Sequence, residues 1–295
     1  MKFFKKILRP FTKLLPDKFY LSCLYRMHMK RKINFKNPVS FTEKLQWLKL
    51  YDRNPEYTTM VDKYLVKDYV AKKIGSEHII PLLGVWDKFE DIDFEQLPDQ
   101  FVLKCTHDSA GLVICRDKSR FDILKAKKII NRSLKRNFFY AAREWPYKNV
   151  KPRIIAEKYM EDPVTKNLPD YKFFCFDGKV KAMFVATDRF SKTEETKFDF
   201  FDSSYHRLPI KNGHPNSDTP PKKPASFDEM KRYAELLSKG IPHVRCDFYE
   251  VGGTVYFGEL TFYHFGGLVP FEPDEWDRTF GSWIKLPVDK RIEHK

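Results

Sequence analysis

Apolar positions along the chain change their spacing several times, and each change marks where an element begins or ends. Ser40-Phe41-Thr42-Glu43 sets a hydroxyl three residues ahead of a glutamate, and LQWLKLY behind it repeats its apolar residues at helical spacing. This capping box predicts a short helix at about 41–51. A second helix is expected behind Thr59 and Asp62, because Val61, Leu65, Val66, Tyr69, Val70 and Ile74 share one face and Gly75 ends the run. HIIPLLGVW at 78–86 reads as a strand or extended segment, and FEDIDFEQLPDQ as an acidic surface connection.

The runs then shorten to strand length. Phe101 to Cys105 is a compact apolar strand carrying one lysine, followed by the small, polar turn Thr106-His107-Asp108-Ser109-Ala110-Gly111 and a second strand, LVICR. A helix at about 122–137 and a buried strand, RIIAEKY at 153–159, come next. Two hairpins carry strong turn signals: YKFFCFDGKVKAMFVATD turns at Asp177-Gly178, and VRCDFYEVGGTVYFGELTF turns at Gly252-Gly253. Between them PIKNGHPNSDTPPKKPA reads as an exposed connection at 209–225, leading to a helix with a capping box at Ser226 and Glu229 and a terminating Gly240. The mixture predicts an α/β (α+β) fold without internal repeats.

Composition narrows the class. A chain of 295 residues with 42% hydrophobic and 16% aromatic residues has the material for a sizeable interior, which excludes a disordered protein. The excess of 54 Lys and Arg over 40 Asp and Glu, a formal +14, favours polyanionic partners such as nucleic acid, acidic lipid, acidic glycan or a phosphorylated substrate. Much of it lies in residues 1–36, where lysines alternate with short apolar runs and Pro10 and Pro16 break any long helix. That segment is either a peripheral contact for an anionic membrane face or a solvated, partly packed opening stretch. No run has the length of a secretory core or of a membrane span, so the expected location is cytoplasmic, peripheral at the inner face of the plasma membrane if the first reading holds. Cys23, Cys105, Cys115, Cys175 and Cys246 lack metal-ligand spacing and read as reduced thiols, four of them in apolar strand-like runs.

Two constellations carry candidate chemistry. Lys104 projects from a strand into a turn whose small residues let backbone amides approach phosphate oxygens, an arrangement suited to a nucleoside triphosphate. A strand lysine lying beside an ordinary hairpin is the plainer alternative. In the second hairpin, Asp247 and Glu259 fall where both can face one side of the sheet and hold Mg²⁺, or else be solvated separately. Neutralising either is expected to spare the fold. His107 within the turn and His264 beyond the last strand are candidates for phosphate contact or proton transfer, His264 equally for a structural role.

Taken in order, VDKYLVKDYVAKKIG, HIIPLLGVWD, LPDQFVLKCTHDSAG, AEKYMED, LPDYKFFCFDGKVK, TDRF, HVRCDFYEVGGTVYFGELTFY and FEPDEWDRTFGSWIKLP resemble the TupA-like (teichuronopeptide biosynthesis) branch of the ATP-grasp superfamily from about residue 38 onward. The resemblance implies an ATP-grasp fold, two α/β lobes whose antiparallel sheets grip ATP. It divides the chain into a basic amphipathic segment at 1–37, an N-terminal lobe at 38–98, an ATP-binding lobe with its phosphate loop at 99–160, and a C-terminal lobe with the metal site at 161–295. It implies that Lys104 meets the nucleotide phosphates, that the loop containing His107, Ser109 and Gly111 covers them, and that Glu157, Lys158 and Tyr159 form the strand reading the adenine edge. Asp170 is placed near the ribose, Lys172 near phosphate, Arg245 or Arg189 on the carboxylate or departing phosphate, and Asp247 and Glu259 on Mg²⁺. Thr261 stands where many relatives carry Asn, and Ala110 where glycine is commoner. The implied activity is ATP- and Mg²⁺-dependent joining of a carboxylate to an amine through an acyl phosphate, with an acidic glycan or glycan precursor and an amino acid or other amine as partners.

Two rivals stay in view. Asp91-Ile92-Asp93 is a DxD-like match that would suit a glycosyltransferase, although it lies in an acidic connection. A basic nucleic-acid-binding module would fit the charge, but no nucleic-acid-binding motif is present and none is expected to bind.

Overall fold

The structure is a computed structural model and describes residues 12–163, 168–188 and 194–287. Among the described residues four α-helices come first: α1 (Asp17–Met29), α2 (Phe41–Tyr51), α3 (Glu56–Val61) and α4 (Leu65–Ile74). The box at α2 forms as expected, with Ser40 Oγ accepting from the Glu43 amide and Glu43 Oε2 accepting from the Ser40 amide. The single helix expected behind Thr59 is instead two. Asp62 adopts an extended backbone and its Oδ1 accepts from the amides of Tyr64 and Leu65, so it ends α3 and starts α4 anew.

Ten strands build two antiparallel sheets. β1 (Leu82–Trp86), β2 (Phe101–Cys105), β3 (Leu112–Cys115) and β4 (Ile154–Lys158) form the smaller one in the order β1-β4-β2-β3. β5 (Asp170–Phe176), β6 (Lys179–Thr187), β7 (Lys197–Asp202), β8 (Arg207–Leu208), β9 (Val244–Val251) and β10 (Thr254–Thr261) form the larger in the order β10-β9-β5-β6-β7-β8. The remaining helices are α5 (Ile123–Leu134), α6 (Phe139–Ala142), α7 (Phe227–Leu237) and α8 (Glu275–Trp283). Both predicted hairpin turns are tight, with left-handed φ at Asp177 and Gly178 (47° and 76°) and at Gly252 and Gly253 (57° and 78°), the conformation that makes Asp-Gly and Gly-Gly favourable there.

Each sheet owns a core. In the smaller sheet Phe101, Leu103 and Cys105 are buried with Ala126 and Ile130 of α5, and the alternate residues Val102 and Lys104 look the other way. The larger sheet is covered on both faces. Phe173 meets Phe227 of α7, whereas Phe174 meets Phe41 of α2 and Phe280 of α8, which is why β5 is buried along its whole length rather than at alternate positions. Phe174 is fully buried, so Phe174→Ala is expected to cost about 3–5 kcal/mol, read from urea unfolding; a loss below about 1 kcal/mol would show that the aromatic layer closes over the void.

Two local expectations are corrected. Ser226 makes no cap to Glu229; its hydroxyl donates to the Gly253 carbonyl and its amide to Glu250, tying α7 to the β9–β10 turn. The stretch at 209–225 is partly packed rather than exposed. Ile210 and Asn212 are buried, Lys211 forms a bridge with Glu272, and Asn212 Nδ2 donates to the carbonyls of Val269 and Pro270.

Candidate active site

The two sheets face one another across a cavity of about 540 Å³. Strand register decides what the smaller sheet contributes: Val102 pairs with Ile114 and Glu157, and Lys104 with Leu112 and Ile155. Paired residues share a face, so an apolar wall forms around Lys104 and Glu157. Asp170, Thr187, Tyr249, Phe257 and Glu259 close it from the larger sheet, and Lys158 and Tyr159 line its rim.

Inside this cavity Glu157 is the electrostatic hinge. One carboxylate oxygen lies 2.6 Å from Lys104 Nζ and the other 2.5 Å from Lys67 Nζ. Burial pushes the Glu157 carboxyl upward, but the two ammonium groups outweigh it and hold it at about 2. A carboxylate depressed in the folded state stabilises above its unfolded value, and that stabilisation is lost as pH falls from about 4.5 through about 2. Glu157→Gln should therefore remove acid-dependent stability on the order of 3 kcal/mol across that window, and urea midpoints with the same pH slope in variant and parent would refute this.

The turn after β2 is braced from below. Asp108 Oδ1 accepts from the amides of Ala110 and Gly111, and Lys63 Nζ donates to the Asp108 carbonyl at 2.8 Å. Ser109 and Gly111 line the cavity. His107 does not; it is buried beneath the turn with Nε2 3.1 Å from the Ser133 carbonyl. Gly111 is required by packing, since a Cβ there would lie 2.5 Å from both Cys105 Sγ and Ser133 Oγ.

On the larger sheet a β-bulge places the key acid. The register of the β9–β10 hairpin runs Phe257 opposite Phe248, then skips Gly258 and sets Glu259 opposite Asp247. Without that extra residue Glu259 would share a face with Cys246 and point into the core. With it, Lys172, Asp247 and Glu259 form one transverse row, and Arg245 and Thr261 the next row on the same face.

Asp247 is the buried middle member of the first row and lines neither cavity. Its oxygens accept a two-pronged bond from Arg245, both at 2.7 Å, and a contact from Lys172, whose Nζ also sits 2.6 Å from Asp170. Burial pushes the Asp247 carboxyl upward against the pull of Arg245 and Lys172. Glu259 by contrast keeps 41% of its side chain exposed and borders both the large cavity and a smaller one of about 290 Å³. Lys172, Arg245, Phe198, His214 and Phe265 line the smaller one.

His264 borders the smaller cavity with both ring nitrogens engaged. Its Nδ1 lies 2.7 Å from the Arg245 guanidinium and so accepts, leaving Nε2 to donate to Asn212 Oδ1 at 2.8 Å. Burial, and then the charge of Arg245, drives its pKa well below the usual imidazole range. It orients Arg245. Arg189 falls outside the described residues. Asp91 and Asp93 lie on an exposed turn where Asp93 accepts from the Glu95 amide, away from both cavities.

Among the cavity residues that sequence reasoning did not name are two cations, Lys63 and Lys67. Lys63 stands in the turn before α4 and Lys67, four positions on, on α4, in a stretch whose apolar spacing is its clearest signal.

A family model described as TupA-like ATPgrasp matches residues 43–285, and the chain belongs to this family. The chain is similar to a D-alanine–D-alanine ligase from Bacillus anthracis complexed with ATP, at 17% identity and a TM-score of 0.40, covering 69% of this chain and 55% of that one. It is similar also to the D-alanine–D-alanine ligase of Helicobacter pylori (14% identity, 84% and 69% covered, TM-score 0.41) and to a D-cycloserine synthetase (14%, 69% and 62%, TM-score 0.40). The chain thus spans little more than half the length of the first. No curated protein matches it.

Proposed function

We propose that the protein is an ATP- and Mg²⁺-dependent carboxylate–amine ligase that joins an amino acid or similar amine to a carboxylate of an acidic surface polysaccharide or its precursor. The observation that carries this reading is the position of Glu259 on the wall common to the two cavities, with a lysine-rich chamber on one side and Arg245 and Lys172 on the other. A triphosphate entering the first and a carboxylate entering the second would meet there.

The residues present fit magnesium: Glu259 supplies an exposed carboxylate, and phosphate oxygens supply most of the remaining positions such an ion takes. Among the described residues no group of three or more His, Cys, Asp or Glu forms a self-sufficient cage. When bound, the ion would neutralise the transferring phosphoryl group. Asp247, committed to Arg245 and Lys172, fits the role of holding those cations in place rather than ligating the metal itself.

Phosphoryl transfer asks the protein for charge neutralisation and alignment. Lys104, Lys63 and Lys67 surround the phosphate end of the chamber, and the apolar wall of Val102, Ile114 and Phe257 suits a base, with Lys158 and Tyr159 along its edge and Asp170 near its sugar. Arg245, its guanidinium held by Asp247, Thr261 and His264, borders the smaller cavity and would attract a carboxylate there by charge and one remaining N–H. A carboxylate oxygen attacks the γ-phosphorus and ADP leaves. The amine nitrogen then attacks the acyl carbon, the acyl–oxygen bond breaks, phosphate departs, and the amine proton goes to it. The formal +14, ten of it carried by residues 1–36, would draw a polyanionic acceptor toward the protein.

The test follows ADP release and amide formation by mass spectrometry with ATP, magnesium, an amino acid, and either a uronic-acid oligosaccharide or its carboxyl-reduced analogue. Amide on the first alone, with apparent affinity falling as salt rises, is the expected result. Equal modification of both removes the glycan carboxylate from the reaction.

A further inference from the structure

The outward face of α1 carries an ordered pattern that the catalytic reading does not use. Phe19, Cys23 and Met27 recur at every fourth position and are exposed, Phe19 by 56% and Met27 by 47%, and Leu14 in the turn ahead of the helix is 83% exposed. In the adjoining row Lys18, Arg26 and Lys30 recur at multiples of the same interval, all exposed. Leu21, Tyr25 and Met29, on the opposite face, are buried.

The helix cannot roll to hide this stripe. Asp17 is bound by Arg143 at 2.8 Å and by Arg53 at 3.1 Å, Tyr20 donates to the Ala141 carbonyl, and Tyr25 bonds with Thr42. Arg31, just past the helix, reaches Asp274 at 2.8 Å. An exposed apolar stripe fixed in place asks for an external partner.

Charge says which one. Residues 1–36 hold eleven Lys and Arg against Asp17 alone, ten of the chain's fourteen net positive charges, and Asp17 is already paired inward. Apolar side chains flanked by a basic row suit the boundary of an anionic bilayer, where rings and thioethers sink to the acyl edge and cations meet headgroup phosphates. A nucleic acid would use the basic row and leave the stripe wet. No helix among the described residues is long and apolar enough to cross a membrane, so the contact is in the plane of the interface.

We propose that α1 is a peripheral docking face for anionic phospholipid, holding the body of the protein in one fixed orientation against the membrane. The full chain should co-sediment with vesicles of phosphatidylglycerol and phosphatidylcholine, and not with phosphatidylcholine alone, and high salt should release it. Arg26→Gln with Lys30→Gln should weaken partitioning about thirtyfold, the effect of two interfacial cations at about 1 kcal/mol each. Phe19→Ser with Met27→Ser should weaken it by about tenfold or more. Both pairs lie on solvent-exposed positions, so urea midpoints and ADP release without vesicles should match the parent. Partitioning of either pair equal to the parent overturns the proposal. Equal binding to neutral vesicles, or α1-dependent binding to duplex DNA or RNA without vesicle binding, overturns it as well.

Discussion

Glu259→Gln is expected to lower Mg²⁺-dependent ADP release by about two to three orders of magnitude while leaving the unfolding midpoint close to that of the parent. The magnitude is that of removing one preorganised charge from a transition state whose stabilisation is almost wholly electrostatic. The tolerance follows from position, because this side chain is 41% exposed, lies 3.6 Å from Arg245 and packs no core. Replacing a carboxylate by an amide of the same shape leaves the bulge at Gly258 and the β9–β10 ladder untouched. Release of ADP at more than about a tenth of the parent rate in this variant would take Glu259 out of the reaction.

A different outcome is expected for Asp247→Asn. Here turnover and stability should fall together, the second by about 3–5 kcal/mol, because the substitution strips the countercharge from two buried cations. Arg245 and Lys172 are each under a tenth exposed, and Asp247 is their shared anion. Asp170 continues to hold Lys172, and Glu259 at 3.6 Å offers Arg245 only a longer contact. The sequence places both acids at an accessible cleft and so implies that neutralising either spares the fold; for Asp247 burial corrects that. Paired measurements separate the roles: urea unfolding of the two variants beside ADP release at saturating magnesium. Should Asp247→Asn unfold at the parent midpoint, its carboxylate is not what keeps the two cations buried. Lys104→Ala belongs between these extremes, weakening ATP binding or phosphoryl transfer while freeing Glu157 to remain paired with Lys67.

Much of this architecture is written locally and is therefore legible in the chain. The box at Ser40 and Glu43, the Asp177-Gly178 and Gly252-Gly253 turns, and the alternation in FVLKC each depend on residues within one or two turns of one another. That alternation alone points Lys104 away from α5 and toward an open face, and the ordered series of motifs carries the family.

Other features depend on partners far away in sequence, where spacing is silent. Lys67 becomes a cavity residue only because Glu157, ninety positions on, is brought against it, and Ile210 and Asn212 leave the solvent only because the 269–272 segment folds over them. His107 and His264 look alike as sequence, both beside candidate site strands. Burial and the direction of their hydrogen bonds turn one toward a helix carbonyl and the other into a neutral brace for Arg245. The sharpest case is Glu259. Asp247 and Glu259 do share a face as expected, but simple register counted from the Gly252-Gly253 turn would put Glu259 beside Cys246, facing the core; the shared face exists only because one residue is skipped, which a two-residue period cannot report. Gly258 is the skipped residue of the bulge that turns Glu259 to the cleft, and a Cβ there would stand a tight 3.1 Å from the Asp247 carbonyl oxygen. The chain by itself determined which residue types are available for phosphate and carboxylate chemistry; the tertiary structure decided which of them face the cavity, because facing is set by register, burial and countercharge between segments that only folding brings together.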